Sequence, residues 1–425
     1  MKKLIKNVTV VTMNENQDIL KNSNIIINND IIEIITDKAP SGDFEIFDAK
    51  GGVAIPGLVN AHTHVSMTLL RSYADGLPLQ TWLFDKIFPI EDKLTSEDIY
   101  YGAMIGIMDM LSSGTTLFAD MYYFMDSVAR AAEESGIKAL LCRGVTYDKS
   151  APPDKYANLA EGIEFCKNWT GKGRIKTNLG PHSIYTTTPE FLEYMIEKAK
   201  ELKCSFHIHL SETALENSDA LKTFGKTPTK YLYDLGFFDV PVIAAHCVHL
   251  TDEDIEILKS RDVVVAHNPT SNLKLGSGIA PLYKLKNAGI RIALGTDGAS
   301  SNNNLNMLEE VNLAGLITNG VMQNPTAVLP YDALKWGVNA SALGFADTGV
   351  LQSGKKADIV IIDTDKPHFI PMHNALSNVV YSANAGDVKQ VFADGNLLFN
   401  NGEFTTIDKE KIFYETRRCC KRIFS

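Results

Sequence analysis

LVNAHTH, residues 58–64, is a short apolar run that closes on two histidines, and it follows a glycine and a proline. That length and punctuation predict a buried strand. Seven further stretches share the pattern: TTLFADM (115–121), KALLCRG (138–144), IKTNLGPHS (175–183), SFHIHLSE (205–212), VIAAHC (242–247), VVVAHNP (263–269) and RIALGTDG (291–298). Amphipathic segments such as SEDIYYGAMIGIMDMLSSG and PEFLEYMIEKAKELK lie between them. The second opens at Pro189 behind three threonines, a helix-start signal. Eight strands alternating with helices over 57–349 predict an α/β fold, a closed TIM-like (β/α)8 barrel.

The two ends of the chain read differently. LIKNVTVVTM, NIIINND, IIEIITDK and GGVAIPG, all within 1–56, are β-branched runs broken by Asn, Asp and Gly. The same character returns in 350–425 with KKADIVIIDTD and DVKQVFADGNLLFNNGEF, where Asp394-Gly395 and Asn401-Gly402 are hairpin signals. Both ends are expected to pair into one small β-sandwich domain beside the barrel, with KEKIFYETRRCCKRIF as a terminal helix.

Composition narrows the function classes. The chain has 425 residues, 45% hydrophobic and 22% charged, enough for a large core plus a smaller unit. A net charge of −10 argues against a nucleic-acid partner, because no counterion release favours binding to phosphates. No apolar run approaches the ~20 residues that span a bilayer, so no membrane partner is expected. The N-terminus lacks the apolar core and cleavage site of a signal peptide. Six cysteines without a bridging or metal-binding spacing fit a reducing, cytoplasmic location.

The chemistry collects where barrel enzymes place it, at the C-terminal ends of the strands. His62 and His64 are two apart on one strand and share a face; His207 and His209 repeat the spacing; His246 and Asp297 end two later strands. Imidazole and carboxylate together suit Zn²⁺ or, less selectively, Fe²⁺. His62, His64, His209 and Asp297 are the expected ligands. The fourth strand ends in Gly180-Pro181-His182, without the Lys or Glu that bridges two metals, so one ion per subunit is expected. Glu212, three residues past His209, suits proton shuttling. Asp297 suits both metal binding and acceptance of the water proton. His246 suits orientation of the attacking oxygen, or a fourth imidazole ligand. His207 reads as a supporting group, and His249 and His267 as local hydrogen-bonding residues.

PGLVNAHTH (56–64), HLSET (209–213), HCVHL (246–250), GTDGASSNN (295–303) and KKADIVIID (355–363) resemble the amidohydrolase superfamily along essentially the whole chain. MTLLRSYADGLPLQTWLFDKIFPIEDKLT (67–95) and NPTSNLKLGSGIAP (268–281) are similar to its S-adenosylhomocysteine / 5′-methylthioadenosine deaminases. The resemblance implies a small-molecule adenine nucleoside as substrate. It implies that Glu91 accepts from the ribose hydroxyls, that Trp82 packs beside the sugar, and that Arg143 and His182 contact substrate. Glu212 would meet the purine ring nitrogen and Asp297 would serve metal and substrate. Where some members carry a second arginine, this chain has Lys149 and Lys155, so the preferred 5′ group stays open between 5′-methylthioadenosine, S-adenosylhomocysteine, adenosine and 5′-deoxyadenosine. The metal's identity and the oligomeric state also stay open, self-association being compatible with such barrels. The nearest alternative is an aminohydrolase or chlorohydrolase acting on a bare heterocycle such as guanine or an s-triazine. A more distant one is a non-catalytic scaffold on the same barrel.

Overall fold

The N-terminal strands are β1 (Lys2–Val11), β2 (Ile19–Asn28), β3 (Ile31–Thr36), β4 (Phe44–Asp48) and β5 (Val53–Pro56) in a computed structural model that describes residues 1–425. The parallel strands follow as β6 (Leu58–Thr63), β7 (Thr115–Tyr122), β8 (Lys138–Val145), β9 (Ile175–Thr177), β10 (Gly180–Pro181), β11 (Phe206–Leu210), β12 (Val242–His246), β13 (Val264–His267) and β14 (Arg291–Leu294). They form two arcs, β10-β8-β7-β6 with β9 beside β8, and β11-β12-β13-β14. Backbone bonds join the arcs at one seam, Leu179 N–H to Ser205 O (3.0 Å) and His207 N–H to Leu179 O (3.0 Å). At the other seam Asp297 N–H donates to His62 O (2.9 Å), while Asn60 Oδ1 accepts from Thr296 N–H (3.0 Å). The ring of strands is the α/β barrel expected from the alternation.

One predicted strand, 175–183, is split into β9 and β10. Pro181 has no N–H for a ladder. Gly180 sits so close to β8 that a Cβ there would lie 2.7 Å from Cys142 Sγ and 2.8 Å from Arg143 O. The interruption brings His182 to the barrel mouth, where its N–H bonds Val145 O at 2.9 Å.

Both chain ends share one sheet. β5 pairs antiparallel with β15 (Ile359–Ile362), which continues through β16 (Val388–Ala393), β17 (Asn396–Asn400) and β18 (Glu403–Phe404). The sheet encloses its own apolar cluster, with Ile5, Ile25 and Ile32 meeting Ile359, Ile361 and Phe392. Phe47 of β4 packs edge-on against Phe392 of β16, with ring centroids 5.2 Å apart. β4 was not foreseen in the sequence; its FEIFD run is half exposed and shows no clean alternation. Both hairpin signals form turns with positive φ at each central residue: Asp394 (+46°) and Gly395 (+70°), Asn401 (+50°) and Gly402 (+92°). The terminal helix, Lys409–Ile423, carries Arg418, which pairs with Glu97 of the helix Ser96–Ser112 at 2.6 Å.

A buried ion cluster fastens the barrel to the sheet. Lys138 Nζ, at the start of β8, donates to both oxygens of Asp358 (2.6 and 2.7 Å) and lies 2.8 Å from Asp394 Oδ1. Lys138 and Asp358 are almost inaccessible to solvent. Removing the ammonium strands the buried carboxylate of Asp358 and leaves Asp394 with Arg174 alone, at 3.6 Å, which costs far more than a surface pair. Lys138→Met is expected to lower unfolding stability by about 3–5 kcal/mol, read as a shift in the urea midpoint, and a loss under 1 kcal/mol would contradict it.

Candidate active site

Asp297, His62 and His64 meet at the C-terminal rim of the barrel. A register irregularity of β6 against β7 falls between Asn60 and Thr63, where the strand delivers the two histidines to the rim. Three non-glycine residues at neighbouring strand exits adopt left-handed backbone: Ser211 (φ +50°), His246 (+71°) and Asp297 (+62°). Such backbone costs free energy and collects at functional sites.

The imidazoles are oriented from behind. Nδ1 of His64 bonds Met121 O (2.6 Å), Nδ1 of His209 bonds His182 O (2.8 Å), and Nδ1 of His62 faces His207 Nε2 (2.9 Å). A backbone carbonyl can only accept, so His64 and His209 carry their protons on Nδ1 and turn Nε2 lone pairs inward. His207 thus supports His62 from behind. Ser271 and Ser301 hydroxyls donate to Asp297 Oδ2 (2.7 and 2.8 Å), which leaves Oδ1 facing the histidines.

The inward atoms crowd one point. His64 Nε2 lies 3.2 Å from His209 Nε2 and 3.2 Å from Asp297 Oδ1; His62 Nε2 lies 3.3 Å from the same oxygen. His62 Nε2 is buried yet makes no hydrogen bond. Lone pairs gathered this closely repel unless a cation sits among them, and ligands ~2.0–2.1 Å from a tetrahedral ion lie about 3.3 Å apart. The donor set fits a divalent metal. Without an ion a proton takes that place: burial pushes His64 down, but Asp297 beside it outweighs this and raises it to about 9, so a bound cation must displace the proton from His64 Nε2. Burial pushes Asp297 up, but His62 and His64 hold its carboxyl well below the usual range. A ring nitrogen of His246 also falls within 4.8 Å of His62 and Asp297 ligand atoms. Its Nδ1 lies 2.8 Å from Asn272 Oδ1, and its Nε2 faces Glu212 Oε2 at 3.9 Å.

The pocket above this cluster contains most of the residues singled out in the sequence: His64, Trp82, Glu91, His182, His209, Glu212, His246 and Asp297 all line it. Trp82 and Glu91 arrive on one helical segment that covers the mouth. Its turn Trp82–Ile87 is a wide π turn, in which Phe88 N–H reaches back to Leu83 O. Pro89, which has no N–H, follows and prevents a regular ladder. Glu91 is buried and accepts from Tyr122 (2.6 Å) and Tyr123 (3.3 Å) hydroxyls. Burial raises its pKa to about 7 against the pull of those donors.

Arg143 stands apart. It lines an adjoining cavity that shares Phe88, Glu91, Tyr123 and Thr146 with the first. Its Nε donates to Glu161 at 2.9 Å, and its guanidinium lies over the Tyr123 ring at 4.7 Å. Lys149 and Lys155 are exposed and line neither cavity. Sequence reading did not find Tyr122, Tyr123, Glu216, Ser271, Ser277 or Ser301. The tyrosines act through contacts distant in sequence and the serines through hydroxyls common in any loop, while Glu216 sits three residues past Thr213, a spacing that signals only a helix start.

A parallel barrel with imidazoles and a carboxylate converging at its C-terminal rim defines a metal-dependent hydrolase. The amidohydrolase family profile matches residues 53–398, and the chain belongs to that family. It is 45% identical to the 5-methylthioadenosine/S-adenosylhomocysteine deaminase of Thermoanaerobacter pseudethanolicus, over 100% of this chain and 99% of the relative. It is 46% identical to the deaminase of the same description from Dictyoglomus turgidum, over 98% of each. A solved adenosine deaminase from Xanthomonas campestris, with bound zinc, superposes with a TM-score of 0.93 at 31% identity, covering 99% of this chain and 98% of that one. An atrazine chlorohydrolase from Arthrobacter aurescens, 24% identical with a TM-score of 0.90 over 98% of this chain and 99% of that one, shares the fold. No helix is long and apolar enough to cross a membrane.

Proposed function

We propose that this amidohydrolase removes the 6-amino group of adenine nucleosides such as 5′-methylthioadenosine or S-adenosylhomocysteine, giving the inosine analogue and ammonia. One observation carries the reading: Glu212 and Glu91 line a single pocket with His64, His209 and Asp297. The full-length relatives at 45–46% identity support it. His62, His64, His209 and Asp297 would hold one Zn²⁺ per subunit. When bound, such an ion supplies the Lewis acidity that lets water act as a nucleophile near neutral pH.

The chain's own residues supply the rest. Burial, reinforced by the nearby Asp297 charge, pushes Glu212 above the ordinary carboxylate range, which suits a group that gives and takes a proton. Water adds to C6 of the purine as Asp297 takes one of its protons and Glu212 gives its own proton to the ring nitrogen; the C6–N bond then breaks as Asp297 passes the water proton to the departing amine, and the remaining hydroxyl proton returns to Glu212. His246 orients the attacking oxygen. Glu91 accepts from the ribose 2′- and 3′-hydroxyls, Trp82 packs against the sugar, and His182 closes the wall. Arg143, already paired with Glu161, faces the 5′ end of the nucleoside from the adjoining cavity. All six cysteines are free thiols, which fits a reducing, cytoplasmic setting.

Ammonia release from a panel of 5′-substituted adenosines and free bases tests the reading. Turnover of guanine or an s-triazine, with none of any adenine nucleoside, would overturn it. Glu91 adds a sharper test. It must be ionised to accept from a diol, and its pKa stands near 7. Acidification through pH 7 therefore protonates it, and KM for nucleosides is expected to rise as pH falls, with full affinity above. Glu91→Gln should raise nucleoside KM about 10- to 100-fold, the scale of lost hydrogen bonds to a charged group, and flatten that limb. An unaltered pH profile of KM in the variant would remove Glu91 from ribose recognition.

A further inference from the structure

The deamination reading leaves unused the segment Gly276-Ser277-Gly278, which reaches the pocket from the loop after β13. Ser277 is buried, and its hydroxyl donates to Glu212 Oε1 at 3.0 Å. Its own backbone is fixed on both sides. Ser277 N–H donates to Asn272 O at 2.8 Å, and Ser277 O accepts from His249 Nε2 at 2.7 Å. Gly278 has φ +121°, and a Cβ there would lie 3.0 Å from Val248 Cγ1, so the loop is pressed against the exit of β12.

Glu212 is gripped from its backbone as well. Glu216 is buried, and its two oxygens accept from Ser211 N–H (3.1 Å) and Glu212 N–H (2.7 Å). Thr213 caps the helix Ala214–Phe224 by accepting from Glu216 N–H (3.1 Å). In an ordinary capping box the acidic residue bonds the N-cap backbone. Here it reaches past Thr213 to the two residues before it, one of them left-handed. That placement does nothing extra for the helix; it fixes the direction in which Glu212 leaves the strand.

With Oε1 engaged by Ser277, Oε2 is the oxygen that faces His246 Nε2, at 3.9 Å. We propose that Ser277 is a positioning residue that occupies one oxygen of Glu212 and reserves the other for proton transfer to and from the purine, with Glu216 holding the backbone behind it. The proposal rests on the deaminase reading for its substrate. A carboxylate free to rotate would share its proton between two oxygens, only one of which faces the substrate, and would lose orientation in the transition state more than in binding.

The test compares metal-loaded wild type, Ser277→Ala, Ser277→Cys and Glu216→Gln in steady-state deamination of 5′-methylthioadenosine. Ser277→Ala is expected to lower kcat about 10- to 100-fold, the scale of a lost hydrogen bond to a charged group, with KM within about twofold of wild type and metal content unaltered. Cysteine is close to serine in size and a weaker donor, so Ser277→Cys should fall between them. Glu216→Gln keeps the side chain's size but replaces one acceptor with a donor facing a backbone N–H, and should lower kcat in the same way. A wild-type kcat in Ser277→Ala, a loss carried by KM alone, or a cysteine variant no better than alanine at equal Tm would overturn the proposal. If wild type deaminates no adenine nucleoside, the nucleoside reading fails. The same comparison on the C–N substrate it does hydrolyse then decides the role of Ser277, since proton transfer through Glu212 is common to both.

Discussion

Glu212→Gln is expected to cut kcat by about 10²- to 10⁴-fold, the usual contribution of a positioned proton-transfer group. The substitution is conservative in every other respect. Glutamine has the same length, retains an oxygen for the Ser277 hydroxyl, and leaves the backbone grip of Glu216 untouched. Glu212 is not among the clustered metal donors, so metal content should stay at the wild-type level. What the amide lacks is the ability to carry a proton. Burial raises the Glu212 pKa, reinforced by Asp297 and opposed by His246 and Ser277, so the group is held ready to donate, and an amide cannot be tuned this way. Ammonia release under saturating nucleoside, with metal analysis on the same sample, separates lost chemistry from lost metal. A variant within threefold of wild type would take Glu212 out of the proton path and pass the task to Asp297 or His246.

Stripping the metal with a chelator is expected to abolish turnover, and one equivalent of Zn²⁺ per chain should restore it. Ligand atoms of His62, His64 and His209 lie within 4.8 Å of one another, and Asp297 Oδ1 lies 3.2 Å from His64 Nε2 and 3.3 Å from His62 Nε2. The fourth barrel strand ends in Gly180-Pro181, which brings no carboxylate or amine to bridge a second ion. Restoration that saturates only at two equivalents would overturn the single-ion reading. Stripping should also lower Tm, because an ion that binds only the folded chain stabilises it by mass action. Asp297→Asn should weaken metal retention and lower activity together, since the amide has lost the charge that draws a cation between two buried histidines.

Much of this was legible before any coordinates. Strands ending in LVNAHTH, SFHIHLSE, VIAAHC and RIALGTDG carry both a β pattern and imidazole or carboxylate side chains, so a period-two rule and the barrel's directionality place His62, His64, His209, His246 and Asp297 at one rim. The pairing of the two chain ends was legible for a similar reason: each contributes apolar strands that cannot bury themselves alone, and β5 and β15 supply the join. β4 escaped notice because half-exposed strands lack the alternation that reveals them.

The sequence by itself determined which side chains reach the rim, because strand direction and alternation are local properties of the backbone. Only the tertiary structure decided what each then does. Asp297 presents Oδ1 to the histidines because Ser271 and Ser301, on two short helices, take Oδ2. Glu91 is buried under two tyrosines rather than starting a solvated helix. Arg143 is held by Glu161 and Tyr123 at the wall of a neighbouring cavity. The physical reason is largely shared: apart from the Ser301 bond to Asp297, four residues away, these hydrogen bonds and ion pairs depend on distances of about 3 Å between residues 18 to 32 positions apart, and no spacing rule along the chain records those distances.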